Sequence, residues 1–288
     1  MLIHAHFGQE GYRCLRSRRL SGLPMVTTFY GMDASSLLRI PAWAKRFRRL
    51  FAEGRLFLAE GPHLAQRLVD AGCPADKLRV HKLGADLKAI PYRPDRIQAG
   101  NRRIVLMCGY FNEKKGFPIG VAAFARIAGD HPDVRLHIVG DGPQRVAIQS
   151  AVRDGGLEES VTFFGMVDGP EYLRRLLECE VLLHPSITAA DGDTEGGSPV
   201  VITEAMAAGK PIVSSLHADI PVVAPAGECA LLAPEGDVES LAEALHALLS
   251  DEAMRRRMGA SGRRHVTQHH DAAKQAENLE AIYDEVSL

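Results

Sequence analysis

The sequence predicts an α/β fold of two domains, each built on a parallel sheet. Short apolar runs rich in β-branched residues alternate with longer segments of helical periodicity, which is the pattern of repeated βαβ units. The chain has 288 residues, 46% of them hydrophobic and 24% charged, an ordinary composition for one large or two medium globular domains. The stretch PYRPDRIQAG at 91–100, rich in Pro, Gly and charge, separates two βα series and favours two domains.

The alternation of apolar and helical segments assigns the elements in order. Ten segments have the composition of strands: 2–5, 25–29, 56–59, 78–81, 104–108, 135–139, 161–163, 181–184, 211–215 and 230–232. Eight segments have helical periodicity: 41–51, 63–71, 117–128, 143–153, 172–177, 199–207, 238–249 and 272–286.

We divide the chain into an N-terminal domain of residues 1–98, a C-terminal domain of residues 99–265 and a final segment of residues 266–288. In the final segment Leu279, Ile282, Tyr283 and Val286 follow the i, i+3, i+4, i+7 spacing of one helix face. This apolar stripe needs a surface to cover it, so we expect the last helix to pack back across the domains.

Charge and cysteine usage exclude several classes of protein. The formal net charge is −2 and aromatic residues make up 6% of the chain, so we expect no nucleic-acid partner. The five cysteines are scattered without a CxxC pair and the twelve histidines lack metal-ligand spacing, which predicts no metal site and a reducing compartment. No apolar run has membrane-spanning length and no signal peptide is evident, so we expect a cytoplasmic protein.

The stretch DGDTEGGSPVVITEAMAAGK at 191–210 contains a glutamate, Glu204, within an apolar run, where a carboxylate needs a hydrogen-bonding partner. Ser198 and Pro199 have the chemistry of a helix N-cap and first turn, and the glycines before them would expose amides that suit a phosphate. Glu204 would lie about 9 Å further along the helix, where it could accept hydrogen bonds from a ribose diol. A structural turn and a glutamate paired to the backbone explain the stretch equally well.

Three other loops follow predicted strands, where open α/β sheets bind ligands. In GYFNEKKGF at 109–117, Lys115 could hold a phosphate, or the loop could be a solvated charged turn. VGDGP at 139–143 lacks the spacing of a dinucleotide fingerprint. In TFYGMD at 28–33, Tyr30 and Asp33 could face a cleft, or Asp33 could serve only as a helix cap.

The segment WAKRFRRLF at 43–51 reads as a basic amphipathic helix. Such a helix can lie on an anionic membrane surface. An ordinary domain helix with a solvated charged side is at least as good an interpretation.

Taken in order, these motifs resemble the retaining GT-B glycosyltransferases of family four, also called group one. The series is GYFNEKKGF, VGDGPQR, VTFFGMV, LLHPSITAADGDTEGGSPVVITEAMAAGKPIVSS and HADIP, and it is most similar to bacterial exopolysaccharide members. The resemblance implies two Rossmann-like domains and transfer of a hexose, with retention, from a UDP- or GDP-sugar to a glycan or lipid-linked acceptor. It implies no metal, because a helix N-terminus and basic side chains would stabilise the leaving diphosphate.

The resemblance also implies roles for individual residues. Lys115 would contact the diphosphate and Glu195 the donor sugar, and these two are the candidate catalytic residues. The candidate donor-binding set is Gly109, Tyr110, Lys115, Gly116, Asp141, Phe164, Met166, Glu195, Gly196, Gly197, Ser198, Pro199 and Glu204. Tyr30 and Asp33 would lie on the acceptor side.

The chain departs from the family pattern at four places. Tyr110 stands where the family commonly has arginine, and Tyr30 where it often has histidine. Glu195 and Glu204 are one residue further apart than is usual. The family normally begins well upstream of HAHFG at 4–8, so we expect an incomplete first domain, explained by a late gene start, a partner chain or an inactive protein.

Two other functions fit the same motifs. One is a non-catalytic or split-enzyme subunit that binds a nucleotide-sugar. The other is a nucleotide-sugar epimerase of similar architecture, which the second glutamate of the EAMAAG segment fits less well.

Overall fold

The computed structural model describes residues 1–94, 102–197 and 199–287, and these form two parallel sheets. The first has the order β1-β2-β3-β4, with β1 Ile3–His6, β2 Met25–Phe29, β3 Leu56–Ala59 and β4 Leu78–Val80. The second has the order β10-β9-β8-β5-β6-β7, with β5 Arg103–Cys108, β6 Val134–Val139, β7 Val161–Gly165, β8 Val181–His184, β9 Ile212–Ser215 and β10 Ala230–Ala233. The predicted α/β class is confirmed, and each strand overlaps a segment expected from the sequence.

The helices cover the faces of the two sheets. They are α1 Gly8–Ser21, α2 Pro41–Glu53, α3 Pro62–Asp70, α4 Phe117–Ile127, α5 Arg145–Asp154, α6 Gly169–Glu178, α7 Val200–Ala208, α8 Ile220–Val223, α9 Val238–Ser250, α10 Glu252–His269 and α11 Ala272–Ser287. The sequence did not indicate α1, α8 and α10. Helix α8 has only four residues, and the buried faces of α1 and α10 combine glycines with few apolar residues. In α10, a Cβ on Gly259 would lie 2.0 Å from the carbonyl oxygen of Gly209, so only glycine permits this close packing.

The strand order of the second sheet reverses between β5 and β8. Strand β5 pairs with β6 on one side and with β8 on the other, all in parallel register. The chain therefore leaves β5 and β8 in opposite directions and opens a crevice at their carboxyl ends, which is where doubly wound sheets bind ligands.

The last helix packs on the first sheet. Leu279 and Ile282 of α11 lie against a buried cluster that joins Val286 to Leu58 and other residues of β2 and β3. The hydroxyl of Tyr283 meets Nδ1 of His4 at 2.5 Å. The apolar stripe of the final segment is thus covered by the sheet of the first domain. The predicted boundary at residue 98 falls within residues 95–101, outside the described part of the chain.

Replacement of Ile282 by aspartate should destabilise the fold by about 2–3 kcal/mol, because a charge would enter an apolar contact. Ala281 is the neighbouring exposed position on the same helix, so Ala281→Asp should change stability by no more than about 0.5 kcal/mol. Urea unfolding of the two variants measures both effects. Equal stability losses would show that α11 does not depend on this contact.

Candidate functional site

The loops that follow β5 and β8 meet at the switch point of the second sheet. Gly116 ends the first loop with φ 62° and caps α4. A Cβ on Gly116 would lie 2.0 Å from the carbonyl oxygen of Pro185. Only glycine tolerates both this backbone conformation and this contact, so Gly116 allows residues 109–116 to lie directly against the loop that carries Glu195.

Lys115 and Glu195 form a buried ion pair across these loops. Nζ of Lys115 lies 2.7 Å from Oε1 and 3.0 Å from Oε2 of Glu195. Ser186 donates its hydroxyl to Oε1 at 2.9 Å, and Nε2 of His184 lies 3.3 Å from the same oxygen. Because an ammonium group has three N–H donors, at least one remains for a ligand while the pair is intact.

The surroundings of Glu195 keep its carboxylate ionised. Burial alone would raise the pKa of Glu195, but Lys115 and His184 outweigh it and hold the pKa well below its usual range. Burial also lowers the pKa of His184, so this ring is neutral and donates through Nε2. The site therefore contains a fixed negative charge next to a fixed positive charge in a low-dielectric region.

His217 orients the backbone at Glu195. The amide of Glu195 donates to Nε2 of His217 at 3.0 Å, and Nδ1 of His217 meets Oε1 of Glu235 at 2.6 Å. Since Nε2 accepts, the ring proton must be on Nδ1, where Glu235 holds it. His217 is 1% exposed, so this chain of contacts is a rigid support for the loop.

Glu204 has a protein partner for one of its oxygens. The hydroxyl of Tyr172 donates to Oε2 of Glu204 at 2.5 Å. Burial raises the pKa of Glu204, and the bond from Tyr172 opposes that rise only in part. No described residue donates to Oε1, so this oxygen is available to a hydroxyl of a ligand. The partner that the sequence required is a tyrosine side chain, and a backbone amide is not involved.

A pocket of about 220 Å³ lies beside Tyr172. It opens at the carboxyl ends of β5 and β6 and is lined by Cys108, Gly109, Tyr110, Val139, Gly140, Met166, Val167 and Tyr172. Three of the predicted donor-binding residues, Gly109, Tyr110 and Met166, therefore come together here. Tyr110 and Met166 are 60% and 73% exposed, so an aromatic ring and a thioether are available to a ligand at the pocket.

Phe164 and Asp141 lie outside that pocket lining. The ring of Phe164 is covered by the guanidinium of Arg175 at 3.7 Å and lies 4.9 Å from the ring of His137. The carboxylate of Asp141 pairs with Arg145 at 2.7 Å. Both side chains therefore have partners within the domain and neither lines the pocket.

The glycines that follow Glu195 touch the first domain. A Cβ on Gly196 would lie 1.9 Å from the carbonyl oxygen of Tyr30, and one on Gly197 would lie 2.3 Å from the amide nitrogen of Gly61. Glycine is therefore required at both positions because the backbone of the second domain lies directly against the backbone of the first. Both residues are buried.

The start of α7 differs from the prediction. Helix α7 begins at Val200, and Pro199 is the residue before it, with ψ 111°, so proline is not the first helical residue. Helix ends are uncertain by a residue or two when read from sequence, because Pro fits φ on either side of the boundary. Ser198, the predicted N-cap, lies outside the described residues.

Carboxylates join the two domains around these loops. Oε2 of Glu60 accepts from the amide of Gly197 at 3.1 Å. Asp219, which is 0% exposed, accepts from the amides of His63 and Leu64 at 2.8 and 3.1 Å, and so caps the first turn of α3. The second domain thus supplies the cap for a helix of the first.

The structure places Tyr30 at the domain boundary and Asp33 beneath it. The carboxylate of Asp33 is 0% exposed and accepts from the amides of Gly8, Tyr30 and Gly31 at 2.8, 3.0 and 3.0 Å. Asp33 therefore holds the loop and does not itself face the cleft. Tyr30 meets Nδ1 of His6 through its hydroxyl, and burial and Glu60 raise its pKa to about 12.

The apolar side of α2 is inside the domain. Phe47, Leu50 and Phe51 are no more than 1% exposed, and Arg46 lies over the ring of Trp43 at 4.6 Å. A membrane contact through residues 43–51 would therefore have to be electrostatic, because the apolar face already packs on the sheet. No helix of the described residues has the length and apolarity to cross a bilayer.

Metal ligands do not converge at this site. Within the described ranges, no group of three His, Cys, Asp or Glu side chains is arranged to hold a metal ion. The positive charge next to Glu195 and near the pocket comes from Lys115.

Several residues of the site carried no assigned role in the sequence. They are Tyr172, His184, Ser186, His217, Glu60 and Asp219. His217 and Asp219 belong to the HADIP motif. The motif marked their place in the family pattern but did not indicate which residues they contact. The contacts of Tyr172 and Glu60 involve partners 32 and 137 residues away, a separation at which sequence spacing gives no information.

The chain belongs to the glycosyl transferases group 1 family, whose model matches residues 91–265. Its architecture is the GT-B fold. The sucrose-phosphate synthase of Thermosynechococcus elongatus superposes with a TM-score of 0.87 at 23% identity, over 99% of this chain and 73% of that one. Anabaena HepE in complex with UDP and glucose superposes with a TM-score of 0.85 at 18% identity, over 98% and 77%.

Curated relatives share more of the sequence. The putative colanic acid biosynthesis glycosyltransferase WcaL of Escherichia coli is 34% identical over 84% of this chain. The amylovoran biosynthesis glycosyltransferase AmsK of Erwinia amylovora is 35% identical over 86% of it. The chain spans 60% and 61% of the lengths of these two relatives.

Replacement of Lys115 by methionine should destabilise the fold by about 3–5 kcal/mol, because it leaves Glu195 buried without its counter-charge. In the wild type the folded pKa of Glu195 lies below the unfolded value near 4.5. That contribution to stability is therefore present above pH 4.5 and is lost as the pH falls below it. Urea unfolding between pH 3 and 7 should show this loss in the wild type, and a weaker one in Lys115→Met.

Lys45→Met is the control for this series, because Lys45 is exposed on α2. It should leave both the stability and its pH dependence unchanged. If Lys115→Met were as stable as Lys45→Met at pH 7, the ion pair of Lys115 and Glu195 would not contribute to the stability of the fold.

Gly197→Ala should weaken the contact between the domains, because the added methyl group would meet the backbone of residues 60 and 61. Gly129→Ala is the matched control, since nothing lies within 4 Å of a Cβ there. Small-angle X-ray scattering should give a larger radius of gyration for Gly197→Ala alone. An unchanged scattering profile would contradict the packing of Gly197 on the first domain.

Proposed function

We propose that this chain binds a nucleotide-sugar in the crevice between β5 and β8 and transfers its hexose, with retention, to a glycan or lipid-linked acceptor in exopolysaccharide synthesis. The observation that carries the proposal is Glu204, whose Oε2 is fixed by Tyr172 while Oε1 faces no described donor. A ribose offers two adjacent hydroxyls, and a carboxylate accepts both.

The Lys115–Glu195 pair supports the chemical part of the proposal. When the bond from the anomeric carbon to the diphosphate oxygen breaks, negative charge develops on the diphosphate. In this proposal Lys115 and the N-terminus of α7 stabilise that charge as it develops. The acceptor oxygen then bonds to the anomeric carbon on the same face, and its proton passes to the leaving phosphate. Glu195 holds Lys115 in place and accepts hydroxyls of the sugar.

Relatives and structural neighbours support the choice of substrate. WcaL and AmsK are named as glycosyltransferases of colanic acid and amylovoran biosynthesis, which supports a role in exopolysaccharide synthesis for this chain. HepE was solved with UDP, with UDP and glucose, and with UDP-glucose. We therefore propose a UDP-hexose as the donor, with GDP-hexoses as the alternative to be tested beside it.

We also propose that the protein works in a reducing compartment, as in the cytoplasm. All five cysteines are unpaired, and burial raises the pKa of Cys73, Cys108 and Cys179 to about 12. Such a rise in pKa disfavours the reactive thiolate form, and Cys73 and Cys179 are in addition buried.

The decisive experiment compares UDP with 2′-deoxy-UDP by calorimetry. The wild type should bind UDP about 10–100-fold more tightly, since a hydrogen bond to a charged group contributes about 1.5–3 kcal/mol. Glu204→Ala should lose this preference and bind both nucleotides equally weakly. Tyr172→Phe should show a smaller loss, because it frees the carboxylate without removing it.

Glu277→Ala, at an exposed position of α11, is the matched control and should bind both nucleotides as the wild type does. If Glu204→Ala still preferred UDP, the ribose assignment would be wrong. Incubation with labelled UDP-glucose then separates the activities: a glycoside indicates transfer, an epimerised free sugar indicates epimerisation, and binding without turnover indicates a donor-binding subunit. Retained transfer in EDTA would agree with Lys115 acting in place of a metal.

A further inference from the structure

Polar side chains continue the face of the first sheet that α11 covers. Because side chains alternate along a strand, residues two positions apart lie on one face. At β1 this face carries Leu2, His4 and His6. At β2 it carries Val26 and Thr28, and Thr28 is in register with His6. Since Leu2 and Val26 belong to the apolar cluster under α11, the polar residues lie beyond this cluster, towards the carboxyl ends of the strands.

His4 joins the last helix to β2. Its Nδ1 meets the hydroxyl of Tyr283 at 2.5 Å, and its Nε2 meets Oγ1 of Thr28 at 2.8 Å. Burial, together with the nearby His6 and His81, lowers the pKa of His4 to about 4. The ring is therefore neutral near pH 7 and carries one N–H group. It donates one of its two hydrogen bonds and accepts the other.

Thr28 and Tyr30 continue this chain of contacts. Burial and the charge of Glu60 raise the pKa of Tyr30 to about 12, and a hydrogen bond from the Thr28 side chain opposes that rise. A hydrogen bond lowers the pKa of a phenol when it is donated to the phenol oxygen, so Thr28 is the donor. The hydroxyl of Tyr30 then donates its own proton to Nδ1 of His6.

The direction of every bond follows from Thr28. A hydroxyl has one proton, and Thr28 donates it to Tyr30, so the Thr28 oxygen accepts from Nε2 of His4. The neutral His4 ring then accepts at Nδ1 from Tyr283. Because Nδ1 of His6 also accepts, the ring proton of His6 lies on Nε2. The five side chains thus form one directed relay that starts at Tyr283 and ends in an N–H group of His6.

His6 ends the relay where the two domains meet. Its side chain is exposed at the carboxyl end of β1, and its ring lies nearly parallel to that of Tyr30, with 5.8 Å between the centroids. A Cβ on Gly196 would lie 1.9 Å from the carbonyl oxygen of Tyr30, so the loop after Glu195 adjoins the end of the relay. Phe7, the next residue, has φ 71°, and such strain outside glycine is common at functional sites.

We propose that Tyr283 is a positioning residue: through His4, Thr28 and Tyr30 it fixes the proton of His6 on Nε2, which donates to a hydroxyl oxygen of a sugar bound between the domains. An imidazole N–H is a donor and a hydroxyl oxygen accepts it. The sugar as ligand rests on the proposed transferase function. The relay, and its control of the His6 tautomer from the last helix, does not.

The histidine tautomers test the relay directly. In protein labelled with ¹⁵N at histidine, long-range ¹H–¹⁵N correlation spectra distinguish a protonated ring nitrogen from a bare one. At about pH 8 the wild type should show the Nε2–H tautomer at His4 and at His6, and the His6 signals are assigned by their loss in His6→Ala. Tyr283→Phe removes one hydroxyl and keeps the ring. It should leave His6 as a mixture of both tautomers, because His4 no longer has a fixed donor at Nδ1 and the bonds after it can reverse.

Tyr92→Phe is the matched control, with the same atom removed at a position that is 42% exposed. His4 and His6 should keep their wild-type tautomers in this variant. The relay is wrong if His6 stays entirely in the Nε2–H form in Tyr283→Phe. It is also wrong if Tyr92→Phe changes the His6 signals as much as Tyr283→Phe does.

Transfer kinetics test the link from the relay to the reaction. His6→Ala should lower kcat with UDP-glucose by about 10-fold, the value of one hydrogen bond of about 1.4 kcal/mol. Tyr283→Phe should lower kcat by about 3–10-fold. In the double variant Tyr283→Phe should cause no further loss, because the relay has already lost its end. Losses that multiply in the double variant would show that Tyr283 does not act through His6.

Hydrolysis of UDP-glucose without an acceptor identifies the sugar that His6 contacts. If His6 donates to the hexose of the donor, His6→Ala should slow hydrolysis and transfer alike. If it donates to the acceptor, only transfer should slow. Wild-type rates of both reactions in His6→Ala would overturn the contact with a sugar.

These outcomes are separate from those of the proposed function. Failure of the donor proposal appears as equal binding of UDP and 2′-deoxy-UDP. The tautomer of His6 in Tyr283→Phe decides the relay in that case too, because it is measured without any ligand.

Discussion

The ion pair of Lys115 and Glu195 at the strand-order reversal is the interaction on which the rest of the site depends. Lys115 lies in the loop after β5 and Glu195 in the loop after β8. The pair therefore joins the two sides of the crevice at the switch point. A buried carboxylate costs several kcal/mol unless it is paired and hydrogen-bonded. Lys115, Ser186 and His184 together meet that requirement for Glu195. The same pair keeps a cation where a diphosphate could meet it.

The contact between the domains follows from the same loop. Residues 196 and 197 come directly after Glu195 and are small enough to lie against the backbone of the first domain. The carboxylates of Glu60 and Asp219 accept hydrogen bonds from backbone amides of the opposite domain. The loop that carries Glu195 therefore also contacts the first domain, so a displacement of this loop would disturb the contact between the domains.

Much of the fold could be predicted, because its strands are short apolar runs that must be buried whatever their neighbours are. Helices α1 and α10 could not, since their buried faces combine glycines with few apolar residues. In the site, Glu204 was predicted as a carboxylate in need of a partner, and the partner proved to be Tyr172. Glu195 keeps its place beside Lys115 although one extra residue separates it from Glu204. Asp33 was expected near the acceptor, but backbone amides occupy its carboxylate.

The sequence by itself determined the α/β class, the order of the loops along the chain and the chemical types that those loops carry. These are local properties, set by periodicity and by residues a few positions apart. The tertiary structure alone decided which carboxylate meets which cation, because Lys115 and Glu195 are separated by 80 residues and only the strand order brings them together. It also decided that the glycines after Glu195 face the first domain.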